Sequence, residues 1–130
     1  MRPAMREGTD KFLAQAARAV ATAERLLAEG AIDLAAGRAY SGMMYAAKAL
    51  LNEKGVRRHT HAGVRAAFDI HWAAPGALDR KFLAWLEEAG ERRRCGSADD
   101  PGLVSDDVNR LVERAREFLE AALRQVGMTK

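Results

Sequence analysis

Arginine and histidine are the residue types in this chain with chemistry to offer, and they gather in short stretches. Arg57-Arg58-His59-Thr60-His61 follows Gly55, and Arg92-Arg93-Arg94 precedes the single cysteine, Cys95. A guanidinium presents a planar fork of donors that fits a phosphate or carboxylate, and an imidazole exchanges protons near neutral pH. Arg57, Arg58, His61 and one or more of the Arg92 to Arg94 run therefore suggest a site for a phosphate-bearing ligand. His61 also opens an expected helix, where backbone amides attract anions, although it can equally hold a corner by bonding to a neighbour. Arg38 stands among apolar residues, where an unpaired guanidinium would be costly. It either finds a carboxylate on another helix or lines a cleft with His61 and an arginine of the later run. Lys48 poses the same choice, or carries its ammonium to the surface on its long stem. Tyr40 and Tyr45 offer ring faces for a base, or fill the core.

Other chemistries are excluded by residue type and spacing. His59 and His61 are two apart on a turn with no matching distant ligands, and one cysteine makes neither a disulfide nor a cysteine-based zinc cluster. No metal and no cofactor are expected, and no glycine-rich phosphate loop occurs. Cys95 reads as a small residue packed at a helix end rather than a nucleophile. His59 should face solvent, and His71, next to Trp72, should serve packing. The string from Arg65 to His71 spans six steps, which leaves the two side chains about 120° apart on a helix, so they share no face.

The elements that must position these residues are helical. Apolar residues recur at three and four from Asp10 to Glu29, with Thr9 or Asp10 as cap and Gly30 as stop. A second helix runs from about Asp33 to Lys54 and ends at Gly55. Its apolar arc, which includes Ala35, Ala39, Met43, Ala46 and Leu50, is so wide that neighbours should cover it on every side. Gly37 and Gly42 inside it imply close approach of another helix. Thr60 caps a short third helix through His61, Val64, Phe68 and Trp72, closed by Pro75-Gly76. A fourth begins near Leu78 and ends in the arginine run. Ser105 then caps a fifth, with Asp106 and Asp107 at its positive end and a stripe from Val108 to Val126. No segment alternates as a strand. The fold class is all-α: a five-helix bundle of four long helices and a short third, in one domain over 1–130 with a loose lead-in at 1–9.

Charge is nearly balanced, 21 Lys and Arg against 18 Asp and Glu, so any polyanion site must be local. The longest apolar run, Ala39 to Leu51, contains Lys48 and falls short of the roughly 20 residues a bilayer crossing needs. A soluble protein in a reducing cytoplasm is expected.

Arg38-Ala-Tyr, Met43, Tyr45-Ala-Ala-Lys-Ala-Leu-Leu, Gly55 and Thr60-His61-x-Gly63 together resemble the HEPN family of small helical bundles. The likeness runs from about Phe12 to Val126 and takes in the arginine-rich end of the fourth helix. It implies a homodimer, often encoded beside a minimal nucleotidyltransferase as a two-component or toxin and antitoxin pair. It also implies a nucleotide- or RNA-binding cleft at Arg38, His61 and Arg93, with Arg57, Arg58 and Arg94 nearby. Arg93 is the inward member of its run because it matches the family arginine. Pairing with Glu87, Glu88 or Glu91 is the structural alternative. Several HEPN proteins are metal-independent ribonucleases that use an Arg followed by a His, whose roles are phosphorane stabilisation and proton transfer. The matching stretch here, Arg93-Arg94-Cys95-Gly96-Ser97-Ala98, holds no His, which leaves His61 as the candidate proton carrier. The alternatives are a non-catalytic dimerisation and protein-interaction module, and a ribonuclease that recruits His61.

Overall fold

The computed structural model describes residues 6–95 and 105–127, with side chains given up to residue 91 and again from 105. Five α-helices follow one another: α1 (Thr9–Ala28), α2 (Ile32–Glu53), α3 (His61–Phe68), α4 (Arg80–Cys95) and α5 (Ser105–Gly127). Among the described residues there is no strand. The all-α bundle read from the sequence is the fold observed.

α2 forms the spine, packing most extensively against α1 and then α5. Ala35, Ala39, Met43, Ala46, Ala47, Ala49 and Leu50 are fully buried along it. Short side chains on that face let the neighbouring axes come close. A Cβ built on Gly42 would lie 2.9 Å from Val20 Cγ2 of α1, so this glycine is a contact surface. The far side of the core is aromatic, with Phe118 of α5 packed tilted against Phe68 and edge to face against Phe82 at centroid separations of 5.5 and 5.3 Å.

α2 is not covered on every side, contrary to the expectation from its wide apolar arc. Leu34 is 65% exposed. Arg38 is exposed as well, and Ser41, Tyr45 and Lys48 are half-buried. These five recur at four and three residues, which draws one stripe along the helix. Alanine on the remaining faces lets the bundle close with fewer neighbours, so the stripe stays open. Within α1, Ala17 is exposed and Ala19 is buried.

The corners between helices set up the site. α1 starts one residue earlier than expected, on Gly8 at φ +96°, and has no side-chain cap. Thr9 is buried and acts elsewhere: its hydroxyl donates to Glu53 Oε2 at 2.6 Å and accepts from Asn52 Nδ2 at 2.9 Å. The Arg6 amide donates to the same carboxylate, so residues 6–9 are tied to the end of α2. Gly55 then reverses the chain in a left-handed conformation, φ +74°. The Val56 amide reaches back to the Leu51 carbonyl, a helix-ending bond that aims Arg57 to His59 alongside α2. Thr60 caps α3 as expected, accepting from the Gly63 amide at 2.9 Å.

α3 ends at Phe68 rather than running on to Trp72. The next turn, Asp69–Ala73, is a π turn in which the Ala74 amide donates to the Asp69 carbonyl five residues back. Trp72 is buried there all the same, with Lys54 Nζ 4.6 Å above its ring.

Candidate functional site

Three helices bring polar groups together at one edge of the bundle. Tyr40 lies on α2 with its ring in the core, 3% exposed. His61 is the first residue of α3, held in place by the Thr60 cap, and is exposed. Arg65 follows His61 by one helical turn and therefore shares its face. Arg65 Nη1 donates to the Tyr40 hydroxyl at 3.0 Å, and that hydroxyl is hydrogen-bonded to His61 Nδ1 at 3.1 Å. The two rings also meet edge to face, 5.3 Å between centroids. α4 supplies the room. A Cβ on Gly90 would stand 2.7 Å from Arg65 Nη1 and 3.5 Å from the Tyr40 hydroxyl, so the guanidinium crosses a position that has no side chain.

This cluster borders a groove with two compartments. One, about 140 Å³, is lined by Tyr40, Ser41, Met44, Tyr45, Lys48 and His61. The other, about 160 Å³, is lined by Lys48 with Phe12, Val56, Arg57, Arg58 and His59, and floored by Leu51. Lys48 borders both, its ammonium 5.6 Å from the centre of the Tyr45 ring. Among the described residues no carboxylate lines either compartment. Cations gathered on a concave surface favour an anion. The wider hollow at the start of α1 differs, since Glu7 and Asp10 there offset part of the charge of Arg6, Lys11 and Arg57.

The residues expected from the sequence are thus partly gathered. His61 lies in the first compartment, and Arg57, Arg58 and His59 in the second. Arg38 is not buried among apolar residues: it is exposed on the open stripe of α2, three positions before Ser41, and needs no buried carboxylate. Arg93 and Arg94 sit in the last turns of α4, three and four positions beyond Gly90, and Cys95 ends that helix. Their side chains, and those of Arg92, lie outside the described residues, as does the stretch 96–104. Of the carboxylates considered as partners for that run, Glu88 is bonded to Arg114 of α5 at 3.0 Å. His71 is half-buried in the π turn.

Arg65, Gly90 and the Tyr40 hydroxyl were missed by reading the sequence. Arg65 had been set beside His71, six residues on, when its partner on the same helix face is His61, four residues back. Gly90 carried a signal too, as an interior helix glycine with a cost of about 1 kcal/mol relative to Ala.

Among the described residues no group of three His, Cys, Asp or Glu is placed to hold a metal ion, and no helix is long and apolar enough to cross a membrane.

Residues 9–126 match the model of the HEPN domain. The chain is 27% identical over 120 residues to the UPF0332 protein PH1297 of Pyrococcus horikoshii, covering 92% of this chain and 82% of that protein. It is likewise 27% identical over 100 residues to a UPF0332 protein of Thermotoga maritima, covering 76% of each.

Proposed function

Because the chain belongs to the HEPN domain family, we propose that its two-compartment groove binds nucleotides or a single strand of RNA, in a homodimer that partners a minimal nucleotidyltransferase. The observation that carries this reading is the run of cations from Arg57 and Arg58, past Lys48, to Tyr45 and His61, with no lining carboxylate among the described residues. Backbone phosphates are held by such cations at little cost in sequence preference, and a half-buried tyrosine gives a base a face to stack on. In this reading Arg93 and Arg94, three and four positions beyond Gly90 on α4, are further phosphate contacts, as the family resemblance implies.

Binding of nucleotides and of short single-stranded RNA by the wild type, Arg93→Ala and His61→Ala tests the assignment. Weaker binding by both variants is expected, and equal affinity in all three removes these residues from the site.

Two other readings have observations of their own. Arg65 and His61, joined through Tyr40, are the residue types that metal-independent RNA cleavage uses. Cleavage of structured RNA in the presence of a chelator, lost in His61→Ala, would establish a ribonuclease. Leu34, exposed beside Arg38 on the open stripe of α2, favours a protein-contact role instead. An RNA-independent dimer that binds no nucleotide would establish that one. An adjacent nucleotidyltransferase reading frame would support the paired system.

A further inference from the structure

We propose that the groove is a two-nucleotide site: each compartment takes one base of a single RNA strand, Lys48 holds the phosphodiester that joins them, and Arg57 with Arg58 holds a terminal phosphate. This rests on the reading of the groove as a site for nucleotides or RNA, and it adds the length of strand bound and a role for Phe12.

The two compartments repeat one plan. Each sets a half-buried aromatic ring beside apolar neighbours, Tyr45 with Met44 in the first and Phe12 with Leu51 and Val56 in the second. A phosphate backbone alone has no use for Phe12, Leu51 and Val56. A base does, because its flat face stacks on an aromatic ring whatever its identity. At about 140 and 160 Å³ the two compartments offer nearly equal room. Among the described residues Lys48 is the one that lines both, so a strand passing from the first to the second passes its ammonium.

Spacing along α2 keeps the two bases apart. Tyr45, Lys48 and Leu51 follow one another at intervals of three, which sets the first and last about 9 Å apart along the helix axis, against about 3.4 Å between stacked neighbours of one strand. Bases that occupy both compartments therefore lie on separate rings and not on each other, as an unpaired strand permits.

The charges follow the same order. Lys48 carries a compact charge between the rings, where the joining phosphodiester falls. Arg57 and Arg58 line the second compartment and not the first. Arg58 is held in advance of any ligand: its Nη1 donates to the Arg57 carbonyl at 2.8 Å, and its stem runs over Gly63, where a Cβ would lie 3.4 Å from Arg58 Cβ and 3.6 Å from Cδ. Most of its donors remain for a phosphate. A phosphate at the end of a strand carries about 1.5 to 2 negative charges at neutral pH, more than a linking one, so an end suits the two guanidinia better than a middle.

The test is a length series: dissociation constants of the full-length protein, from NMR titrations, for adenosine 5′-monophosphate and for 5′-phosphorylated oligoadenylates of two, three and four nucleotides. A gain of about thirtyfold from one nucleotide to two, and of less than about threefold for each one after that, is the expected result. Equal affinity for one and two nucleotides, or a gain that continues undiminished to four, overturns the proposal. Phe12→Leu and Tyr45→Leu each keep an apolar side chain against the core and remove a ring. Each should weaken the dinucleotide by about tenfold, as for one stacked base, and an unchanged affinity in Phe12→Leu overturns the second base site. Thermal unfolding shows whether these variants are intact, and the length series needs neither of them. Diadenylates with a 5′-phosphate, a 3′-phosphate or no terminal phosphate complete the test. One of the phosphorylated pair should bind most tightly and lose that advantage in Arg58→Ala, which also gives the direction of the strand. Equal binding of all three overturns the placement at Arg57 and Arg58. Should the wild type bind none of these ligands, the functional reading of the groove falls together with the proposal; should it bind them without a step at two nucleotides, the proposal alone falls.

Discussion

Lys48 is the residue on which the two compartments depend together. It was read from the sequence as a buried-helix lysine that either pairs or carries its charge outward, and the structure uses it as the shared wall of a basic groove. Lys48→Ala should weaken single-stranded RNA binding to a similar degree across sequences and lower the slope of log affinity against log salt by about one, as measured by anisotropy titrations. The contrast between His61 and Arg38 shows what residue type alone can tell. His61 was legible because a cap residue, Thr60, precedes it and fixes its place at a helix start. Arg38 was misread because apolar neighbours in sequence do not say which side of a helix is covered. Arg65 needed a partner from another helix, Tyr40, which no local spacing reveals.

At the scale of the element, glycines and corner residues carry the energetics. Gly42→Ala sets a methyl 2.9 Å from Cγ2 of Val20, a buried side chain stiff at χ1. Overpacking of about 1–3 kcal/mol should outweigh the helix-propensity gain of about 1 kcal/mol, for a net loss of about 1 kcal/mol in chemical denaturation. Asn52→Ala removes the donor that joins the Glu7 carbonyl and Thr9 to α2, and should cost about 1–3 kcal/mol, with protease sensitivity rising first near residues 6–9. Helix number and order were legible from apolar periodicity, and α2 and α5 are within two residues of their expected ends. The start of α4 was less so. Asp79, whose carboxylate accepts from the Lys81 amide at 2.9 Å, sets it at Arg80 rather than near Leu78. The start of α1 went astray for a different reason. Thr9 has the chemistry of a cap, yet tertiary bonds to Glu53 and Asn52 claim its hydroxyl.

Charge pairs tie the long helices to one another across the molecule. Arg116 of α5 grips Glu24 of α1 through both carboxylate oxygens, Nε to Oε2 at 2.6 Å and Nη2 to Oε1 at 2.5 Å. The Arg116 hydrogen bonds hold the Glu24 carboxyl below its ordinary value against a smaller opposing effect of burial. A depressed carboxylate contributes stability that is complete above its unfolded pKa and lost as the pH falls through its folded one. Thermal unfolding followed from neutral pH into the acid range should therefore show a wild-type loss that Glu24→Gln lacks, and the difference should stay below about 1 kcal/mol because the pair is half exposed.

The central claim concerns the face on which α2, α3 and the Arg57 to His59 segment meet. It is tested most directly by titrating the 15N-labelled protein with short single-stranded RNA and mapping which backbone and side-chain resonances move. Shifts concentrated on Tyr40, Tyr45, Lys48, Arg57, Arg58 and His61, and weakened by added salt, are the predicted result. Shifts centred on the mixed-charge hollow at Glu7 and Asp10, or no shifts at any of the six groove residues, would contradict it.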